Sequence, residues 1–161
     1  MKNLVLVFFL LIFVLGACTN QGKHEPETVV ENAILFDSTL AKEYGADDYG
    51  MKKYCMAFLY AGENRETDST KAAALQRAHM DNISRMADEG KLLLAGPFFG
   101  EGPLRGIYVF DVPSLEEAQA LTATDPAIQS GHLRMEILEW YASAAMMALP
   151  EIHEKVAKIK F

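Results

Sequence analysis

Cysteine is scarce in this chain, with two in 161 residues, Cys18 and Cys55. That number excludes a disulfide-stapled scaffold. Positive charge is also in short supply: 15 Lys and Arg stand against 22 Asp and Glu, for a net charge of −7, and no basic cluster occurs. Such a balance lacks the electrostatic footprint of a nucleic-acid binder, so no nucleic acid is expected as a partner. No apolar run approaches the roughly 20 residues that cross a bilayer core. The four histidines have no ligand spacing, which argues against a metal centre, and no axial ligand for haem stands out. No cofactor is expected. What remains is a chain that is 50% hydrophobic and 23% charged, the composition of one acidic globular domain.

The one long apolar run occupies residues 4–15, after Lys2 and before Gly16, Ala17 and Cys18. A basic start, a short apolar stretch and small residues at its end are the parts of a secretory signal peptide. The end of this run, Leu15-Gly16-Ala17-Cys18, resembles a bacterial lipobox. The resemblance implies that residues 1–17 are a lipoprotein signal peptide and that Cys18 is the lipidation site. Two or more acyl chains anchor a protein stably where one does so marginally. The expected location is therefore the bacterial cell envelope, lipid-anchored on a periplasmic or surface face. Residues 18–50 read as a tether followed by a partly ordered arm with one short helix. Cys55, among apolar neighbours, reads as a small buried hydrophobe rather than a nucleophile.

From residue 53 the pattern sharpens. Bulky residues on both alternating sets of 53–60 predict a strand covered on both faces. A helix is expected over 69–89, stopped by Gly90. Strands follow at 92–98 and 107–112. Between them lies Gly100-x-Gly102-x-x-x-Gly106, which resembles a phosphate loop, but a strand follows where a helix N-terminus is required, so it reads as a connection. Ser114 and Glu117 form a capping box that opens a helix to about residue 123, with Glu117 reaching back to the cap. Asp125-Pro126 breaks that helix. A fourth strand is expected at 135–141, and a helical region from 142 onward, interrupted near Pro150. The order is βαββαβ, an α+β, ferredoxin-like fold with an antiparallel four-stranded sheet over 51–145 and a C-terminal helical tail at 146–161. Both helices lie on one face of such a sheet. A second copy of the sheet is the simplest cover for the other, so a homodimer built as a dimeric α/β barrel is expected.

Leu75, His79, Ile83 and Met86 share one stripe of the long helix, the face that should meet the sheet. Asp125, after the second helix, lies on the same side of the fold. A carboxylate that accepts from one imidazole nitrogen fixes the tautomer and leaves the other nitrogen as a base. The segments Arg77-Ala78-His79-Met80-Asp81-Asn82-Ile83, Gly90-Lys91-Leu92-Leu93-Leu94-Ala95-Gly96-Pro97-Phe98 and Thr124-Asp125-Pro126-Ala127 resemble the YCII-related family. That resemblance spans about residues 53–145. It implies a ferredoxin-like fold, pairing into a dimeric α/β barrel, and a His–Asp dyad formed by His79 and Asp125.

Two functions follow as expectations. In the first, an envelope-anchored enzyme uses His79 as general acid/base and Asp125 to orient it, with Gly96, Pro97 and Tyr54 shaping a pocket for a small molecule. In the second, a non-catalytic lipoprotein binds a small ligand in the same cavity or acts as a dimeric scaffold. A His79–Asp125 hydrogen bond opening into a cleft favours the first, and a filled interior around His79 favours the second.

Overall fold

The computed structural model describes residues 35–159, so the expected leader at 1–17, Cys18 and the expected tether up to residue 34 lie outside the described residues. The chain divides into a segment 1–35 and a unit 36–161, and the fold described is that of the second. A short helix, α1 (Ser38–Glu43), precedes the strand β1 (Met51–Ala61), the long helix α2 (Ser69–Asp88) and the strands β2 (Leu92–Pro97) and β3 (Leu104–Phe110). The helices α3 (Leu115–Thr122) and α4 (Pro126–Gln129) lead to β4 (Leu133–Ser143), a 3-10 turn (Ala144–Ala148) and α5 (Leu149–Val156). The sheet order is β2-β3-β1-β4 with every neighbour antiparallel, which is the ferredoxin-like arrangement.

The helix ends follow from their caps. The Asp68 side chain accepts the amides of Thr70 and Lys71 and starts α2. At the other end Gly90 takes a positive φ of 68°, a backbone state that costs glycine nothing, and its N–H donates to Ala87 O. The Ser114 hydroxyl accepts from the Glu117 amide at 3.2 Å, half of the expected capping box. The other half is absent. Glu117 pairs instead with Lys91 Nζ at 2.8 Å, which ties α3 to the start of β2.

β3 begins three residues before its predicted start, and β4 extends past its predicted bounds at both ends. Both strands are lengthened by their partners. β4 pairs with β1 from Met51↔Ser143 to Ala61↔Leu133, so residues with weak strand preference are drawn into the ladder. Ala142 is thus strand rather than helix. Pro150 does not interrupt a helix but sits in the first turn of α5, where its missing N–H costs nothing.

Strand alternation divides the sheet into two faces. Cys55, Ala57 and Leu59 of β1 and Tyr108 and Phe110 of β3 join Met86 and Ala118 in the core under the helices. Tyr54 and Val109 point the other way, packing with Met56, Leu93 and the methionines of the 3-10 turn. Farther along that second face, Leu138 is 50% exposed and Trp140 37% exposed.

Candidate functional site

Asp125 is the residue on which the site is built. It caps α4, with Oδ1 accepting the Ala127 amide at 2.9 Å. Its other oxygen, Oδ2, accepts from His79 Nδ1 at 2.8 Å, across 46 positions of sequence. Asp125 is 0% exposed, so both oxygens are committed inside the protein. An ionised carboxylate only accepts, so Nδ1 carries a hydrogen and, in the neutral ring, Nε2 is left with its lone pair. Arg85 fixes the neighbourhood. Its Nη2 donates at 2.9 Å both to Asn82 Oδ1 on α2 and to Thr124 Oγ1, the residue before Asp125.

The Tyr108 hydroxyl lies 3.5 Å from His79 Nε2 and 3.5 Å from Asp125 Oδ2. The two rings stack loosely, with centroids 6.4 Å apart and planes 25° from parallel. Burial first, then the negative charge of Asp125 and the hydrogen bond to it, push the Tyr108 phenol well above its usual range. It therefore stays protonated and remains a neutral donor. From the sequence, Tyr108 reads with Tyr54, Trp140 and Tyr141 as a core or interface aromatic, some of which could line a pocket beside His79. The position of Tyr108 two residues before Phe110 on an inward-facing strand set gave it no distinguishing signal.

His79 and Tyr108 line a cavity of about 560 Å³, within the usual size for a small-molecule site. Gly96 and Pro97 also line it. Tyr54 does not. It belongs to the opposite face of the sheet, because β1 alternates and its neighbours Cys55 and Leu59 are the residues that meet the helices. There Tyr54 is 1% exposed and donates from its hydroxyl to Ser143 O at 3.1 Å.

Three further residues line the cavity that sequence spacing did not gather: Arg65, Arg105 and His132. Arg65 follows β1 and His132 precedes β4, and their loops touch. Asn64 N donates to Gly131 O, and Gly62 N to His132 O. Gly62 permits this approach, since a Cβ there would fall 2.0 Å from Gly131 O. The result brings Arg65 Nη1 to 3.3 Å from His132 Nε2. Burial first, then Arg65, His79 and Arg105, hold His132 below the usual imidazole range. Cys55 is buried with no disulfide partner among the described residues, and desolvation above all raises its thiol. That makes it a poor nucleophile. Among the described residues no cluster of three or more His, Cys, Asp or Glu side chains is placed to hold a metal ion.

Fold and site together define a ferredoxin-like α+β domain in which a histidine on a cavity wall is hydrogen-bonded to a buried carboxylate behind it. The YCII-related domain model matches residues 55–141, more than half of the chain, and the chain belongs to that family. It is 36% identical over 62 residues to the uncharacterized protein YjpA of Bacillus subtilis strain 168, an alignment covering 38% of this chain and 71% of that one. Among solved structures it is similar to the 5-chloro-2-hydroxyhydroquinone dehydrochlorinase of Burkholderia phenoliruptrix AC1100, in complex with 2,5-dihydroxybenzoquinone. The TM-score is 0.43 and the identity 15%, over 54% of this chain and 92% of that one.

Proposed function

We propose that this protein is a small-molecule enzyme in which His79 acts as general acid/base and Asp125 as the residue that orients it. The observation that carries this reading is the 2.8 Å contact between His79 Nδ1 and a fully buried Asp125, on the wall of the cavity. With Nδ1–H held by the carboxylate, Nε2 takes a proton from a carbon or oxygen of the bound molecule and returns it to the same or a neighbouring atom. The neutral Tyr108 hydroxyl donates its one hydrogen to Asp125 Oδ2 at 3.5 Å, a second contact that holds the carboxylate in place beside His79.

The test is deuterium uptake from solvent into a panel of small enolisable ketones and phenols. Wild-type protein should accelerate exchange in at least one of them, and His79→Asn should lose about 10²–10⁴ of that rate. Asp125→Asn should lose a comparable factor. Its amide oxygen is needed by the Ala127 N–H, so its NH₂ faces Nδ1 and drives the proton to Nε2, the wrong tautomer for a base. Exchange that survives His79→Asn unchanged overturns the reading.

The cellular setting belongs to the same proposal. Cys18 carries the lipid that holds the domain at the envelope membrane, a reading supported by Leu15-Gly16-Ala17-Cys18 directly after the apolar run. The intact mass of the mature protein tests it: two or more acyl chains on Cys18 are expected, and an unmodified thiol there refutes it. The half-exposed apolar residues of the second sheet face, Leu138 and Trp140, support a homodimer formed face to face.

A further inference from the structure

We infer that the cavity beside His79 takes a small organic carboxylate, and that Arg65, Arg105 and His132 receive its negative group. This rests on the reading of His79 as the acid/base, and adds the substrate class. The first observation is one of charge. The protein carries a net −7, yet no Asp or Glu lines the cavity, whereas two arginines and two histidines do. Among the described residues neither Arg65 nor Arg105 forms an ion pair. An arginine left without a carboxylate on a cavity wall in so acidic a chain leaves its fork of donors open to an incoming anion.

The second observation is one of hydrogen-bond supply. A guanidinium has donors and no acceptor, so at 3.3 Å Arg65 Nη1 donates to His132 Nε2. His132 therefore carries its proton on Nδ1. That Nδ1 is buried without a partner, and so is Nε of Arg105. The cluster holds more donors than acceptors: His132 Nε2 and Gly100 O each take one long 3.3 Å bond, from Arg65 Nη1 and Arg105 Nη1. A carboxylate offers two oxygens and about four lone-pair sites, the complement of this excess. A small rotation of the Arg105 side chain off Gly100 is enough to present its fork. Apart from Gln76 and Tyr108 the remaining wall is apolar, with Leu59, Leu75, Ile83 and Leu133 among its residues. The ligand that fits is thus amphipathic, a single carboxylate on a compact apolar or aromatic body.

Phenylacetate and its neutral analogue phenylacetamide are suitable probes, titrated into the full chain and followed by amide chemical shifts. Phenylacetate should perturb Gly96, Gly106 and His132 and bind at least about tenfold tighter than phenylacetamide. Arg105→Gln and Arg65→Gln should each weaken phenylacetate by about tenfold or more and leave phenylacetamide unchanged, with Arg105→Lys recovering part of the loss. Arg65 is exposed, so its variant keeps the test valid even if substitution at Arg105 disturbs the loop. Equal binding of the two probes, or phenylacetate affinity indifferent to both Gln variants, overturns the carboxylate site. No phenylacetate shifts up to about 10 mM overturn it as well. His79→Asn separates the two readings. Carboxylate selectivity that persists in a variant whose exchange rate is also unchanged leaves the binding site standing and removes the acid/base role. Loss of exchange in His79→Asn with no carboxylate preference in either protein does the reverse.

Discussion

The two faces of the sheet, built from the same strands, differ in kind. The helix-covered face holds a cavity with a buried charge at its wall, and its polar groups are tied by long-range contacts such as His79 to Asp125 and Arg85 to Thr124. The other face has no such cavity, and its polar contacts are local to its rim: Lys52 pairs with Asp111 at 2.8 Å and Tyr54 donates to Ser143 O. One end is closed by Met146 and Met147 of the 3-10 turn, which bury Tyr54, while Leu94, Leu138 and Trp140 stay partly in water. On the proposed function the first side places a proton, while the second presents apolar side chains that a partner sheet would cover. Burial by itself therefore did not mark the site: Tyr54 is as buried as any residue of the functional face and belongs to the wrong one.

The largest effect that would break this division lies at Asp125. Asp125→Ala removes the α4 cap, worth about 1 kcal/mol, and a buried charge-assisted hydrogen bond, worth about 1.5–3 kcal/mol. Urea unfolding should report a stability loss of about 2–4 kcal/mol. Asp125→Asn, which keeps the cap, should lose clearly less, and equal losses would mean that the His79 contact rather than the cap dominates. Next comes the open face. Leu138→Asp should leave the folded monomer within about 0.5 kcal/mol, because the residue is already half in water. The same change should weaken self-association by at least about tenfold in sedimentation, since a charge would be buried between two sheets. A wild-type monomer at micromolar concentration, or a dimer untouched by Leu138→Asp, removes the face-to-face arrangement. The smallest effect is in pH. His132 is held below the usual imidazole range, so the unfolded chain binds the proton first. Its contribution is fully present above the ordinary value near 6.5 and is lost as pH falls through the lowered one. His132→Gln should flatten that part of the stability profile, and an unchanged slope between about pH 6.5 and 5 would show that the group titrates normally.

Much of the fold was legible in the sequence because its signals are local. Gly90 could stop α2 wherever that helix packed, and Ser114 could cap α3 without any tertiary partner. The inward stripe of α2 was readable from spacing and placed His79 toward the sheet. The partner of Glu117 was not readable, because Lys91 competes for its carboxylate from another element. The lengths of β3 and β4 were not readable either, since a ladder partner recruits residues that carry little strand preference of their own.

The sequence by itself determined the order of the elements, the alternation of each strand and the stripe that carries His79, since each depends on residues within a turn or two of one another. Only the tertiary structure decided which alternating set of β1 meets the helices, and hence that Leu59 and not Tyr54 reaches the cavity. It also decided that Arg65 and His132, 67 positions apart, meet where Gly62 allows two backbones to touch. Period and propensity act along the chain, whereas a charged cavity is assembled across it, by strand pairing that brings distant loops to the same end of the sheet.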